Sequence, residues 1–234
     1  MKARDRLIVA LDVPEAGAAR SLVDQLAGRV GLFKVGSQLF TAAGPELVQE
    51  IVGRGEKVFL DLKFHDIPNT VAGAVGGASR LGVSLVDVHG LGGREMLEAA
   101  VGVLPAQTRL LAITILTSHD EGALKQIGVA GSIPDSVRRL ALLAKEAGLD
   151  GVVASPHEVA LIREACGTDF LIVTPGIRPE GAAMGDQARA ATPATALSAG
   201  ADYIVVGRPI TQAQDPAAAA DTIVRQMESR RHPE

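Results

Sequence analysis

The sequence predicts an α/β protein, a (β/α)8 TIM barrel forming a single domain over residues 1–234. Three observations carry the prediction. Eight short apolar runs rich in β-branched residues recur along the chain. Between them lie Ala- and Leu-rich stretches with helical spacing, and this alternation implies βαβ units and a parallel sheet covered on both faces. Eight units of roughly 29 residues also suit closure into a barrel, a fold of about 250 residues. A doubly wound open sheet is the competing architecture.

In order, RLIVALD (6–12) is followed by a helix over Pro14–Leu26, GLFKVG (31–36) by Ala43–Val52, and KVFLDLKF (57–64) by Val71–Leu81. SLVDVHG (84–90) leads to Met96–Leu104, RLLAITILT (109–117) to Ser136–Ala147, and DGVVAS (150–155) to His157–Ala165. FLIVTPGI (170–177) precedes Pro193–Ala199, and DYIVVGR (202–208) precedes Pro216–Met227. Gly28, Gly53 or Gly55, Gly82, Gly148 and Gly200 follow helices and are C-cap candidates. No linker or composition shift marks a second domain.

At 47% hydrophobic and 21% charged, the chain can bury a sizeable core. A net charge of −4 with no basic run argues against a nucleic-acid partner but leaves room for a small anion held by local cations. Cys166 is the only cysteine, which excludes an intrachain disulfide and a cysteine-based zinc cluster and fits a reducing cytoplasm. MKARDRLIVALD reaches an acid too early for a secretory segment, and no apolar run approaches about 18 residues. A soluble, cytoplasmic protein without a membrane partner is expected.

Barrel active sites lie at the C-terminal ends of the strands. Polar residues gather there: Asp12 after strand 1, Lys34 on strand 2, Asp61 and Lys63 on strand 3 with Asp66 beyond, and Asp87 and His89 on strand 4. Thr117, Ser155, Thr174, Arg178, Gly207 and Arg208 continue the series. In FLDLKFHDIPNTV (59–71), an extended backbone puts Asp61 and Lys63 on one face and Leu60, Leu62 and Phe64 on the other. Pro68 turns the chain out of the strand, and Asn69 or Thr70 can open a helix. Between Arg178 and Gln187 the chain is glycine-rich, too polar for a strand and suited to a lid. His65, His89 and Asp87 lack a metal-ligand spacing and read as supporting or core groups, and Ser155 and Cys166 as structural.

Taken together and in order, ALD (10–12), FKVG (33–36), DLKFHDIPNTV (61–71), ILTS (115–118), TPGIRP (174–179), GDQAR (185–189) and VVGRPI (205–210) resemble the orotidine 5′-phosphate decarboxylase family. The D-x-K-x-x-D element alone is shared with sugar-phosphate lyases and decarboxylases on the same barrel. Those relatives resemble one another in a carboxylate, used with a metal ion, where this chain has Lys34. FKVG and TPGIRP therefore favour the orotidylate family.

The resemblance implies decarboxylation of orotidine 5′-monophosphate to UMP and carbon dioxide in pyrimidine synthesis, with no cofactor and no metal. It implies a charged array of Lys34, Asp61, Lys63 and an Asp66 contributed by the other subunit of a homodimer. Asp12 and Lys34 then meet the ribose hydroxyls, and Thr117 the pyrimidine. Asn69 lies near the substrate, and Thr70 reaches across the dimer. Gln187, Gly207 and Arg208 belong to the phosphate site, with Arg178 in the same ligand-binding set. Decarboxylation at C6 leaves a carbanion that the ring cannot easily delocalise, so fixed positive charge is needed where the carboxylate departs. Lys63, between carboxylates, suits a general acid rather than a Schiff base. Asp61 is better read as holding Lys63 in place than as repelling the substrate carboxylate.

Overall fold

The computed structural model of the protein describes residues 1–179 and 191–229. Its eight strands are parallel and close into a barrel in chain order, the last pairing with the first. They are β1 (Leu7–Ala10), β2 (Leu32–Gly36), β3 (Val58–Phe64), β4 (Leu85–His89), β5 (Arg109–Ile113), β6 (Gly151–Val153), β7 (Leu171–Thr174) and β8 (Tyr203–Val206). The helices around them are α1 (Ala16–Leu26), α2 (Ser37–Gly53), α3 (Pro68–Arg80), α4 (Gly93–Val101), α5 (Glu121–Gln126), α6 (Ile133–Glu146), α7 (Val159–Cys166), α8 (Pro193–Ser198), α9 (Arg208–Thr211) and α10 (Pro216–Glu228). The predicted barrel is the observed one.

Strand alternation divides the core in two. Ile8, Ala10, Leu32, Phe59, Leu85, Leu111, Val173 and Val205 fill the barrel interior. The intervening residues, among them Val9, Phe33, Leu60, Val86, Ala112 and Ile172, pack outward beneath the helices. Burying a large aliphatic or aromatic side chain in either layer contributes about 1.5–3 kcal/mol. At Gly151 any Cβ would overlap the Leu171 carbonyl oxygen, so β6 can lie against β7 only with glycine there. Among the described residues no helix is long and apolar enough to cross a membrane.

Several boundaries differ from the sequence pattern, each for a local reason. Helix α2 starts at Ser37 rather than Ala43, and the break falls inside it, where Gly44 takes φ 71° ahead of Pro45. Helix α3 starts at Pro68, whose ring pre-sets the first helical turn; no side chain caps it, so neither Asn69 nor Thr70 serves as the expected opener. Strand β5 stops at Ile113 rather than Thr117: its pairing with β6 ends at Ile113 and Val153, and Thr114 finishes the ladder by donating both its N–H and its hydroxyl to the Val153 carbonyl. The short helices α5 and α9 are not foreseen. Of the two candidates after α2, Gly55 rather than Gly53 takes the left-handed conformation.

Candidate active site

The alternation that fills the barrel also builds its mouth. Moving up the inward-facing positions, Leu32 gives way to Lys34, Phe59 to Asp61, and Leu85 to Asp87, while Asp12 follows Ala10 just beyond β1. Apolar side chains thus make a floor, and charged ones stand above it at the C-terminal ends of the strands. They open onto a cavity of about 400 Å³. Asp12, Lys34, Asp61 and Lys63 line it from β1 to β3, Thr117 from the segment after β5, and Arg178, Gly207 and Arg208 from the segments after β7 and β8. The pairing of Ile177 with Ala191, together with the Arg178 N–H donated to the Ala191 carbonyl at 3.0 Å, fixes the backbone at Arg178.

The charges alternate. Lys34 Nζ lies 3.1 Å from Asp12 Oδ1 and 3.0 Å from Asp61 Oδ2, and Lys63 Nζ is paired with Asp61 Oδ1. Burial by itself would push the Asp61 carboxyl up; the Lys34 charge, the hydrogen bond with Asp87 and the Lys63 charge overcome it and hold Asp61 well below the usual carboxylate range. Burial likewise opposes the Lys34 ammonium, but Asp61 and then Asp12 outweigh it and raise its pKa. A cation is therefore built into the space between Asp12 and Asp61. Gly36 keeps that space open, since a Cβ there would stand 3.0 Å from Lys34 Nζ and 3.4 Å from Asp12 Oδ1. It sits in FKVG, although sequence reasoning gave it no role.

Strand β3 is not regularly extended as far as the sequence pattern implies. Its pairing with β4 slips between Leu60 and Phe64, and Lys63 takes φ 53°, the only positive φ outside glycine among the described residues. Asp87, read from sequence as a supporting or core group, accepts the Lys63 N–H at 2.7 Å. Its place two residues after the inward-facing Leu85 is the signal that marks it as a neighbour of the array. Next along β4, His89 accepts the Leu91 N–H at Nδ1 (3.3 Å) and stacks on His65 with ring centroids 5.3 Å apart. Burial first, then His65, Lys63 and His119, push the His89 pKa down to about 4, so its imidazole is neutral near pH 7. Gln212, beyond α9, also lines the cavity and was not foreseen. Ser155 is a local cap, its Oγ accepting the His157 N–H at 3.4 Å.

Asp66, Asn69 and Thr70 are exposed and do not line this chain's own cavity. Asp66 Oδ1 accepts the Ile67 N–H at 2.7 Å, and Asn69 borders a separate groove with Arg80 and Gln107. Gln187 and the predicted lid segment lie outside the described residues. Among the described residues no three His, Cys, Asp or Glu side chains are placed to hold a metal ion.

A closed parallel barrel with a charged cavity at its C-terminal mouth defines a (β/α)8-barrel enzyme. The family model described as Orotidine 5'-phosphate decarboxylase / HUMPS family matches residues 5–223, and the chain belongs to that family. The chain is 57% identical over 225 residues to the orotidine 5'-phosphate decarboxylase of Halorhodospira halophila, covering 95% of each. It is 53% identical over 237 residues to that of Moorella thermoacetica, covering 97% of this chain and 94% of the relative. The crystal structure of orotidine 5'-phosphate decarboxylase from Lactobacillus acidophilus superposes with a TM-score of 0.85 at 39% identity, over 95% of this chain and 99% of that one.

Proposed function

We propose that this chain decarboxylates orotidine 5′-monophosphate to UMP and carbon dioxide, with Lys63 as the proton donor to C6. The observation that carries the reading is the alternating row Asp12, Lys34, Asp61, Lys63 at the cavity. As the bond from C6 to the carboxylate breaks, its electron pair stays on C6 and carbon dioxide leaves. The Lys63 ammonium stabilises that pair and then delivers its proton to it, and solvent reprotonates the amine. Asp61 holds the ammonium in position before the reaction, so little reorganisation is needed as charge develops.

The remaining residues bind. Asp12 and Lys34 take the ribose hydroxyls, Thr117 the pyrimidine, and Gly207 and Arg208, with Arg178 and Gln187, the phosphate end. Arg208 supplies a guanidinium suited to bidentate phosphate binding. Phosphate binding far from C6 helps to organise the reacting end. The protein works as a homodimer in which Asp66 and Thr70 complete the partner's site and Asn69 lies near the substrate. The exposure of these side chains away from their own cavity supports that arrangement. The lone Cys166 suits a cytoplasmic setting.

Metal-dependent sugar-phosphate relatives resemble one another in a carboxylate at the position of Lys34. Here an ammonium paired with Asp12 and Asp61 fills that position, which favours chemistry without a metal or other cofactor. The test is ultraviolet assay of orotidylate loss and UMP formation by purified, EDTA-treated protein. Turnover insensitive to the chelator is expected. No turnover, or turnover restored only by a divalent cation, would overturn the reading.

A further inference from the structure

The least expected feature of the site is the backbone at Lys63. A side-chain-bearing residue rarely adopts φ 53°, and such a conformation persists only where its surroundings over-determine it. The ladder does not do so here. Leu60 pairs with Val86 and Phe64 with Val88, so β3 runs four residues while β4 runs two. The Lys63 N–H donates instead to the Asp87 side chain, 2.7 Å away.

Asp87 is fully buried, and its other oxygen, Oδ2, meets no N–H or O–H donor. The Asp61 carboxylate, whose charge acts on Asp87, already receives Lys34 and Lys63 at its two oxygens. A neutral Asp87 leaves the two lysines balanced by Asp12 and Asp61. The electrostatics agree: burial, followed by the Asp61 charge, raises Asp87 well above the ordinary carboxylate range, against the weaker opposing effects of the Lys63 charge and N–H.

We propose that Asp87 is a positioning residue for Lys63: its side-chain oxygen accepts the Lys63 N–H and so fixes the left-handed backbone that aims the ammonium. The inference rests on Lys63 being the proton donor. It assigns Asp87 no contact with substrate. Asparagine has the same shape and keeps an oxygen that accepts, without the charge. Alanine and valine have no acceptor.

The test compares Asp87→Asn, Asp87→Ala, Asp87→Val and Lys63→Ala in orotidylate turnover and in UMP binding. Asn should retain turnover near the wild-type rate. Ala and Val should lower kcat by about a hundredfold through misplacement of the ammonium, with KM and UMP affinity little changed. A merely structural acid would change stability or substrate capture without that split. Loss in the Asn variant as large as in Ala would show that the ionised carboxylate is needed and overturn the proposal, as would wild-type kcat in Ala or Val. The Asn variant carries the test alone if the truncations fail to fold. Lys63→Ala separates the two claims: if it is inactive while Asp87→Ala is not, the Asp87 role falls alone, and if it remains active, both fall.

Discussion

Lys34 Nζ lies 3.0 Å from Asp61 Oδ2, and the Lys34 side chain is only 12% exposed. Asp61 is thereby gripped from two sides, by Lys34 at one oxygen and Lys63 at the other. Taking charges out of water is costly, and removing one member of such a pair leaves the other uncompensated. The array is best regarded as one unit.

Replacing Lys34 with Met keeps the bulk of the side chain and removes the charge. Asp12 and Asp61 then face each other without their cation. A loss of about 3 kcal/mol in stability and a fall of about a thousandfold in kcat/KM are expected. Urea unfolding and steady-state assay of Lys34→Met check the two effects; near-normal values for both would remove Lys34 from the array.

The His89 pKa, lowered to about 4 from an ordinary 6.5, has a defined consequence for stability. Between those values the unfolded chain binds a proton that the folded chain refuses. The contribution is therefore fully present above pH 6.5 and is lost as pH falls toward 4. His89→Gln should show a smaller drop in urea midpoint than wild type over this range, because the carboxyl groups titrate in both proteins and cancel in the difference. Parallel curves for the two proteins would contradict the assignment.

The alternation that produces this site is readable in the sequence. FLDLKF shows that Asp61 and Lys63 share a face, and both do reach the cavity. The left-handed turn at Lys63 is not readable there, because it arises from the slipped pairing of β3 on β4 and from Asp87, a residue on another strand. The end of β5 is misread for a different reason. Ile115, Leu116 and Thr117 continue an apolar run because they line the cavity, not because they extend the sheet. Helix α5 spans only Glu121–Gln126, too short for periodicity to mark, although Asp120 caps it by accepting the Ala123 N–H. That Asp66 and Thr70 point away from their own cavity is expected only from the family resemblance, since the spacing of the motif by itself would place them beside Asp61 and Lys63.

The shared site can be tested by complementation. Lys63→Ala and Asp66→Asn chains, each inactive alone, are unfolded, mixed and refolded together. In a mixed dimer one site inherits both lesions and the other neither. With random pairing, recovery should approach about a quarter of wild-type activity. Verified heterodimers with no recovered activity would place Asp66 in its own chain's site and leave the decarboxylase assignment intact.

The most direct measurement is orotidylate turnover by Lys63→Ala beside the wild-type protein, with UMP binding followed on the same preparations. The ammonium matters chiefly as charge develops at C6 and as the proton is delivered, so its loss should fall on kcat rather than on binding. Wild type should turn over rapidly and the variant should lose at least about 10⁴ in kcat, with UMP affinity retained. Near-normal turnover by Lys63→Ala would remove Lys63 as the proton donor.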